Sequence, residues 1–125
     1  MQKRPLQLLI IDDSDDDALL LVKDVKKAGY EVSFRRVDTP EKLEQALSAG
    51  SWDLAVCDYR MPGFGGAQAL ARIRSSHPGL PFIFVSGTLP PNSTEIISKA
   101  EGFVSKDDRG SLVPVLNRVL GGRST

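Results

Sequence analysis

The sequence predicts an α/β domain: a five-stranded parallel sheet, doubly wound in the flavodoxin-like strand order 2-1-3-4-5, with five helices of which the fourth is short. Three observations carry this. Short apolar runs alternate five times with stretches whose apolar residues recur at helical spacing, and strand–helix alternation means parallel pairing through right-handed crossovers. The runs LQLLII, LAVC and FIFV are wholly apolar but for Gln7 rather than alternating, as strands buried on both faces are. Capping and turn residues, from Ser14 to Ser111, stand between the runs where helices should begin and end.

In chain order, the first strand is expected over Leu6–Ile11 and ends at Asp12-Asp13. Ser14 with Asp17 three residues on matches a capping box, and Asp15, Asp16 and Asp17 suit the positive end of a helix dipole. That helix carries Ala18, Leu21, Val22, Val25 and Ala28 inward and stops at Gly29. Val32–Val37 is mixed in polarity, as in a strand nearer an edge, and Thr39-Pro40 opens a second helix ending near Gly50. Leu54–Cys57 is the third strand, and the third helix runs from Gly66 to about Ser76, closed by His77-Pro78-Gly79. Phe82–Val85 is a fourth buried strand ending at Ser86, followed by a Pro90-Pro91 loop and a short helix over Thr94–Ala100. A fifth strand, Gly102–Ser105, ends at Lys106, and Ser111 caps the last helix. No linker, repeat or low-complexity stretch interrupts this order, so one domain is expected, with a core over about residues 6–120 and a frayed tail at 121–125.

Composition narrows the function. A chain of 125 residues should bury roughly two-thirds of its surface without staples. Sixteen basic and sixteen acidic residues cancel, which argues against direct nucleic-acid binding through bulk charge. The longest uninterrupted apolar run, Ala18–Val22, is far too short for membrane insertion, and the N-terminus lacks the cleavage pattern of a signal peptide, so a cytoplasmic location is expected. Cys57 is the one cysteine and reads as a buried core thiol; with one cysteine and one histidine, His77, a zinc site would have to rest on carboxylates, which argues against one. Trp52 reads as a cover for the edge of the core.

The chemistry gathers at the carboxyl ends of the strands, where open α/β sheets bind ligands. Strand one delivers Asp12 and Asp13, strand three Asp58, strand four Ser86 and strand five Lys106. Singly, each has an ordinary explanation: an acidic turn, a strand-ending acid, a cap hydroxyl, a solvated lysine. Together they make a pocket of carboxylates, hydroxyl and ammonium. Such crowded carboxylates call for a hard divalent cation, and Mg²⁺ favours one or two carboxylates, waters and phosphate oxygens. Metal, lysine and hydroxyl could then share the oxygens of a phosphoryl group passing to a carboxylate.

LLIIDDS, CDYRMPGFGG, FIFVSGT and GFVSK together resemble the receiver domains of bacterial two-component response regulators, over about Leu6–Leu120. The resemblance implies that Asp58 is the phosphoacceptor, supported by Lys106 and Ser86. It implies Mg²⁺ held by Asp12, Asp13 and Asp58 and by the backbone carbonyl of Arg60. Ser86 and Phe103 would be the switch pair, and Arg60 and Thr88 would tune phosphoryl lifetime. The expected donor is a sensor histidine kinase or histidine phosphotransfer protein. A homodimer or effector contact would form through helix 4, strand 5 and helix 5, and the domain would catalyse its own phosphorylation and dephosphorylation without being a stand-alone enzyme. Two departures stand out: Asp107 follows the lysine where the family often has proline, and Lys99-Ala100-Glu101-Gly102 is compressed. A phosphatase of the haloacid dehalogenase type needs Asp-x-Asp-x-Thr/Val after strand one; Asp13-Ser14-Asp15-Asp16-Asp17 fails at the last position. An interaction module that has lost phosphorylation would not need every acceptor-site residue, yet all are present.

Overall fold

The computed structural model describes residues 4–61, 63–87 and 94–121. Five strands, β1 (Arg4–Ile11), β2 (Tyr30–Val37), β3 (Leu54–Cys57), β4 (Phe82–Ser86) and β5 (Gly102–Ser105), pair in parallel in the order β2-β1-β3-β4-β5. The helices are α1 (Asp15–Lys27), α2 (Pro40–Ala49), α3 (Gly66–Ser76), α4 (Thr94–Ser98) and α5 (Leu112–Gly121).

Side-chain alternation along the strands sorts the core into two layers. Leu9, Ile11, Ala55, Cys57, Phe82 and Phe84 face α2 and α3, and the partly buried Ile96 and Ile97 of α4 pack against the same layer. Leu8, Ile10, Leu54, Val56, Ile83 and Val104 face α1 and α5, meeting Ala18, Val22 and Val25 on one helix and Leu112, Leu116 and Leu120 on the other. A sheet covered on both faces explains why its central strands carry no polar alternation.

The caps act as their residue types suggest. Ser14 Oγ accepts from the Asp17 backbone N–H at 3.2 Å, and Thr39 Oγ1 accepts from that of Lys42 at 3.1 Å. Gly29, with φ 104°, takes the left-handed turn after α1. Trp52 donates its indole N–H to the Ala46 carbonyl at 2.9 Å, half-buried at the core's edge.

Four boundaries differ from the sequence reading. β1 and β2 each begin two residues earlier, at Arg4 and Tyr30, because they pair along their full length from Arg4–Tyr30 to Ile11–Val37. α4 stops at Ser98 rather than Ala100; Lys99 and Ala100 bond back to the carbonyls of Ile96 and Ile97 in a tightened turn. A single 3-10 turn over Arg109–Ser111 precedes α5. In that turn Ser111 Oγ donates to the Asp108 carbonyl at 2.8 Å, so the hydroxyl expected to cap α5 serves the preceding turn.

The compressed stretch before β5 is held by Glu101. Its N–H donates to the Phe82 carbonyl at 2.8 Å and its Oε1 accepts the Phe82 N–H at 2.8 Å, extending the ladder between β4 and β5. Arg74 of α3 grips the same carboxylate at 2.8 and 2.9 Å and also donates to the carbonyls of Leu80 and Lys99.

Candidate phosphoryl-acceptor site

The parallel register carries Ile11, Cys57, Phe84 and Phe103 across the sheet in one row. Asp12 and Asp58 follow the first two of these residues directly, so the acids emerge side by side from the central strands. The Asp12 N–H donates to the Val37 carbonyl and the Asp58 N–H to the Ile11 carbonyl, which fixes both backbones to neighbouring strands. Beyond β4 and β5, the Lys106 N–H donates to the Ser86 carbonyl at 3.1 Å, bringing those two loops together.

Lys106 Nζ is the centre of the site. It donates to Asp17 Oδ2 at 2.6 Å, Asp58 Oδ2 at 3.0 Å and Asp12 Oδ2 at 3.4 Å. Burial disfavours its charged form, but the bonds from Asp17 and Asp58 and the charges of Asp12 and Asp58 outweigh that and hold the ammonium well above its ordinary pKa. For Asp12 burial wins: the carboxyl is raised although the Ser14 N–H, at 3.0 Å from Oδ1, and the Lys106 charge pull it back. The Asp58 carboxylate is held at both oxygens, Oδ2 by Lys106 and Oδ1 by the Arg60 N–H at 3.2 Å.

One oxygen from each of Asp12, Asp17 and Asp58 lies within 4.8 Å of the others. Three carboxylates against one ammonium leave two negative charges among hard oxygen donors, a set that suits a divalent cation such as Mg²⁺. Asp13, expected as a ligand beside Asp12, is exposed and stands outside this group. Asp17 stands inside it, although the sequence marked Asp17 only as a capping and dipole residue. The helical face Asp17, Leu21 and Asp24, at spacings of four and three, was the available signal. Arg36 was also missed: its Nη1 donates to the Asp12 carbonyl at 3.0 Å and its Nε pairs with Asp15 at 2.6 Å, tying the end of β2 to the loop after β1.

Ser86 is buried at the end of β4. Phe103 is partly buried against the layer that contains Phe84. Arg60 is exposed beside Asp58. Thr88, and Pro62 of the Met61-Pro62 turn, lie outside the described residues. Gly66 closes the loop after Asp58: its N–H donates to the Tyr59 carbonyl at 3.0 Å, and a Cβ there would lie 2.7 Å from the Phe84 ring. Where proline was looked for after the lysine, the Asp107 N–H donates to Ser105 Oγ at 3.1 Å. Among the described residues no helix is long and apolar enough to cross a membrane.

Comparison with known proteins bears on the fold and the family. The family model for the response regulator receiver domain matches residues 8–117. The transcriptional regulatory protein YrkP of Bacillus subtilis is 30% identical over 102 residues, covering 82% of this chain and 40% of that protein. The sensor kinase CckA of Brucella abortus is 33% identical over 82 residues, 64% of this chain and 8% of the kinase. The chain therefore spans less than half the length of these curated relatives. A solved structure described as a response regulator from Chloroflexus aurantiacus superposes with a TM-score of 0.79 at 27% identity, covering 94% of this chain and 99% of that one. The receiver domain of the Pseudomonas aeruginosa sensor histidine kinase PA1611, solved with a magnesium ion coordinated in its active-site cleft, superposes with a TM-score of 0.75 at 20% identity, covering 94% and 98%.

Proposed function

This chain belongs to the response regulator receiver domain family of two-component signalling, and from that premise we propose that it takes a phosphoryl group onto Asp58 from a phosphohistidine of a sensor histidine kinase or histidine phosphotransfer protein. A carboxylate oxygen of Asp58 attacks phosphorus; the O–P bond forms as the N–P bond to the imidazole breaks, and the freed imidazole nitrogen takes a proton from solvent. Lys106, already bonded to Asp58, follows the charge onto the phosphoryl oxygens. Asp12, Asp58 and the Arg60 carbonyl, with Asp13 turning in from outside the carboxylate group, are the proposed holders of Mg²⁺, which when bound would neutralise charge on the phosphoryl group. Ser86 donates its hydroxyl to the phosphoryl group, and Phe103 moves with it to report the modification on the α4–β5–α5 surface, the proposed contact for an effector or a second copy. Water later hydrolyses the acyl phosphate, with Arg60 and Thr88 setting its lifetime. The cytoplasm is the proposed setting.

The observation that carries this reading is the 3.0 Å bond from Lys106 to Asp58 inside a group of three carboxylates. Incubation with acetyl phosphate and Mg²⁺ should add one phosphoryl group by intact mass, and Asp58→Asn should take none. Absence of both a phosphoryl adduct and beryllofluoride binding would overturn the reading in favour of a pure interaction module. An equal adduct on Asp58→Asn would move the acceptor elsewhere.

A further inference from the structure

We propose that Asp17 is a positioning residue for the acceptor site: it holds the Lys106 ammonium toward α1, as a third partner beside Asp58 and Asp12, and so weakens the ammonium's hold on the oxygens of those two acids that a divalent cation would use. This rests on the receiver reading and goes beyond it, since Asp17 stands outside the residues to which that reading gives a role.

Three observations carry it. The Asp17 bond to Lys106, at 2.6 Å, is the shortest of the three that the ammonium makes, against 3.0 Å to Asp58 and 3.4 Å to Asp12. An ammonium has three donors, so each is committed, and the shortest charge-assisted bond sets where the head group sits. Asp17 is also the most open of the partners: its side chain is 39% exposed, against 11% for Asp58 and 8% for Asp12. Solvent helps to hydrate this pair, whereas an ammonium fully seated on the two buried acids would occupy the oxygens a metal needs. Finally, Asp17 is itself fixed. Its N–H is capped by Ser14, and further along the same helical face Arg109 donates from Nε and Nη2, one edge of its guanidinium, to the two oxygens of Asp24 at 2.9 Å. Two ion pairs on the Asp17–Asp24 face therefore clamp α1 to the segment after β5, and Lys106 belongs to the upper one.

Removal of the Asp17 carboxylate releases Lys106 onto Asp58 and Asp12, where it competes with the cation. The test is Mg²⁺ titration by calorimetry of the parent, Asp17→Asn, Lys106→Ala and the double variant. Asp17→Asn should weaken Mg²⁺ binding about tenfold, the scale at which residues behind the ligands act on metal affinity. Lys106→Ala should tighten it, and in that background Asp17→Asn should change it by no more than about threefold, the residue of a solvent-screened charge. An equal loss in both backgrounds makes Asp17 a direct ligand and overturns the proposal, as does an Asp17→Asn variant that binds like the parent. A parent that takes up no Mg²⁺ overturns the receiver chemistry itself.

Discussion

Gly66 joins the core to the loop after Asp58, and Gly66→Ala measures how tightly. An added Cβ would stand 2.7 Å from Phe84 Cε1 and 2.9 Å from the Tyr59 Cα. Carbon pairs rest about 3.5–4.0 Å apart, so roughly 1 Å must open on each side. Neither neighbour yields easily. The Phe84 ring is fully buried and meets Tyr59 and Phe82 edge-on, with centroids 5.3 and 4.9 Å away. The Tyr59 contact is with backbone, which no rotamer relieves. Overpacking of this kind costs about 1–3 kcal/mol, and the better helix propensity of alanine offsets at most about 1 kcal/mol. A net loss of about 1–2 kcal/mol is expected in urea denaturation, with the m value unchanged. Gly79→Ala is the control: nothing lies within 4 Å of a Cβ there, so it should be neutral or stabilise by up to about 1 kcal/mol. Because Tyr59 adjoins Asp58, the displaced backbone should also slow the acyl-phosphate formation proposed for Asp58. A Gly66→Ala protein that unfolds at the parent midpoint would refute the packing argument.

Asp107→Pro removes the N–H that bonds Ser105 Oγ, and should lower stability by about 0.5–1 kcal/mol in thermal or chemical unfolding; a gain would show that the loop accepts proline without loss. Glu101→Ala strips the Phe82 N–H and Arg74 of a partner and should lose about 1–2 kcal/mol, while Glu101→Gln keeps an acceptor for Phe82 and should lose less; equal losses would place the whole effect in the charge. The Asp12 carboxyl is raised above 3.8 by burial, so its contribution to the stability of metal-free protein is complete below pH 3.8 and is lost as pH rises through its folded value. Asp38, lowered by its bond from Lys42, slopes the other way, so the quantity to follow is the difference between parent and Asp12→Asn across a pH series in chelator. That difference should shrink with rising pH over this window; growth would reverse the sign assigned to burial.

Much of this fold was legible because local chemistry and tertiary packing ask for the same residues. β3, α3 and β5 begin and end at the residues read from the sequence, since each is bounded by a turn or cap whose backbone needs leave little choice. The starts of β1 and β2 were not legible. Arg4, Pro5 and Glu31 are exposed and polar or turn-like, and they are strand only because the partner strand runs alongside. Glu101 was read only as compression in the chain; its pairing with Phe82 and Arg74 becomes visible once β4 and α3 are in place.

The site divides along the same line. Asp12, Asp58, Ser86 and Lys106 could be placed together because each ends or follows a recognisable strand, and the parallel topology carries strand ends to one rim. Asp17 could not, because its type and position were already explained by the helix N-terminus. The two roles are compatible: the Asp17 backbone N–H serves the Ser14 cap while its carboxylate meets Lys106. An acid in a first turn is stabilising wherever it points, so dipole and cap arguments are blind to its direction. Direction is set by the face it shares with Leu21 and Asp24, and that face is turned inward because Ala18, Val22 and Val25 seat α1 on the sheet. The core contacts that build the helix therefore also aim a charge at the acceptor site, so substitutions that rotate α1 should disturb Lys106 before they unfold the domain.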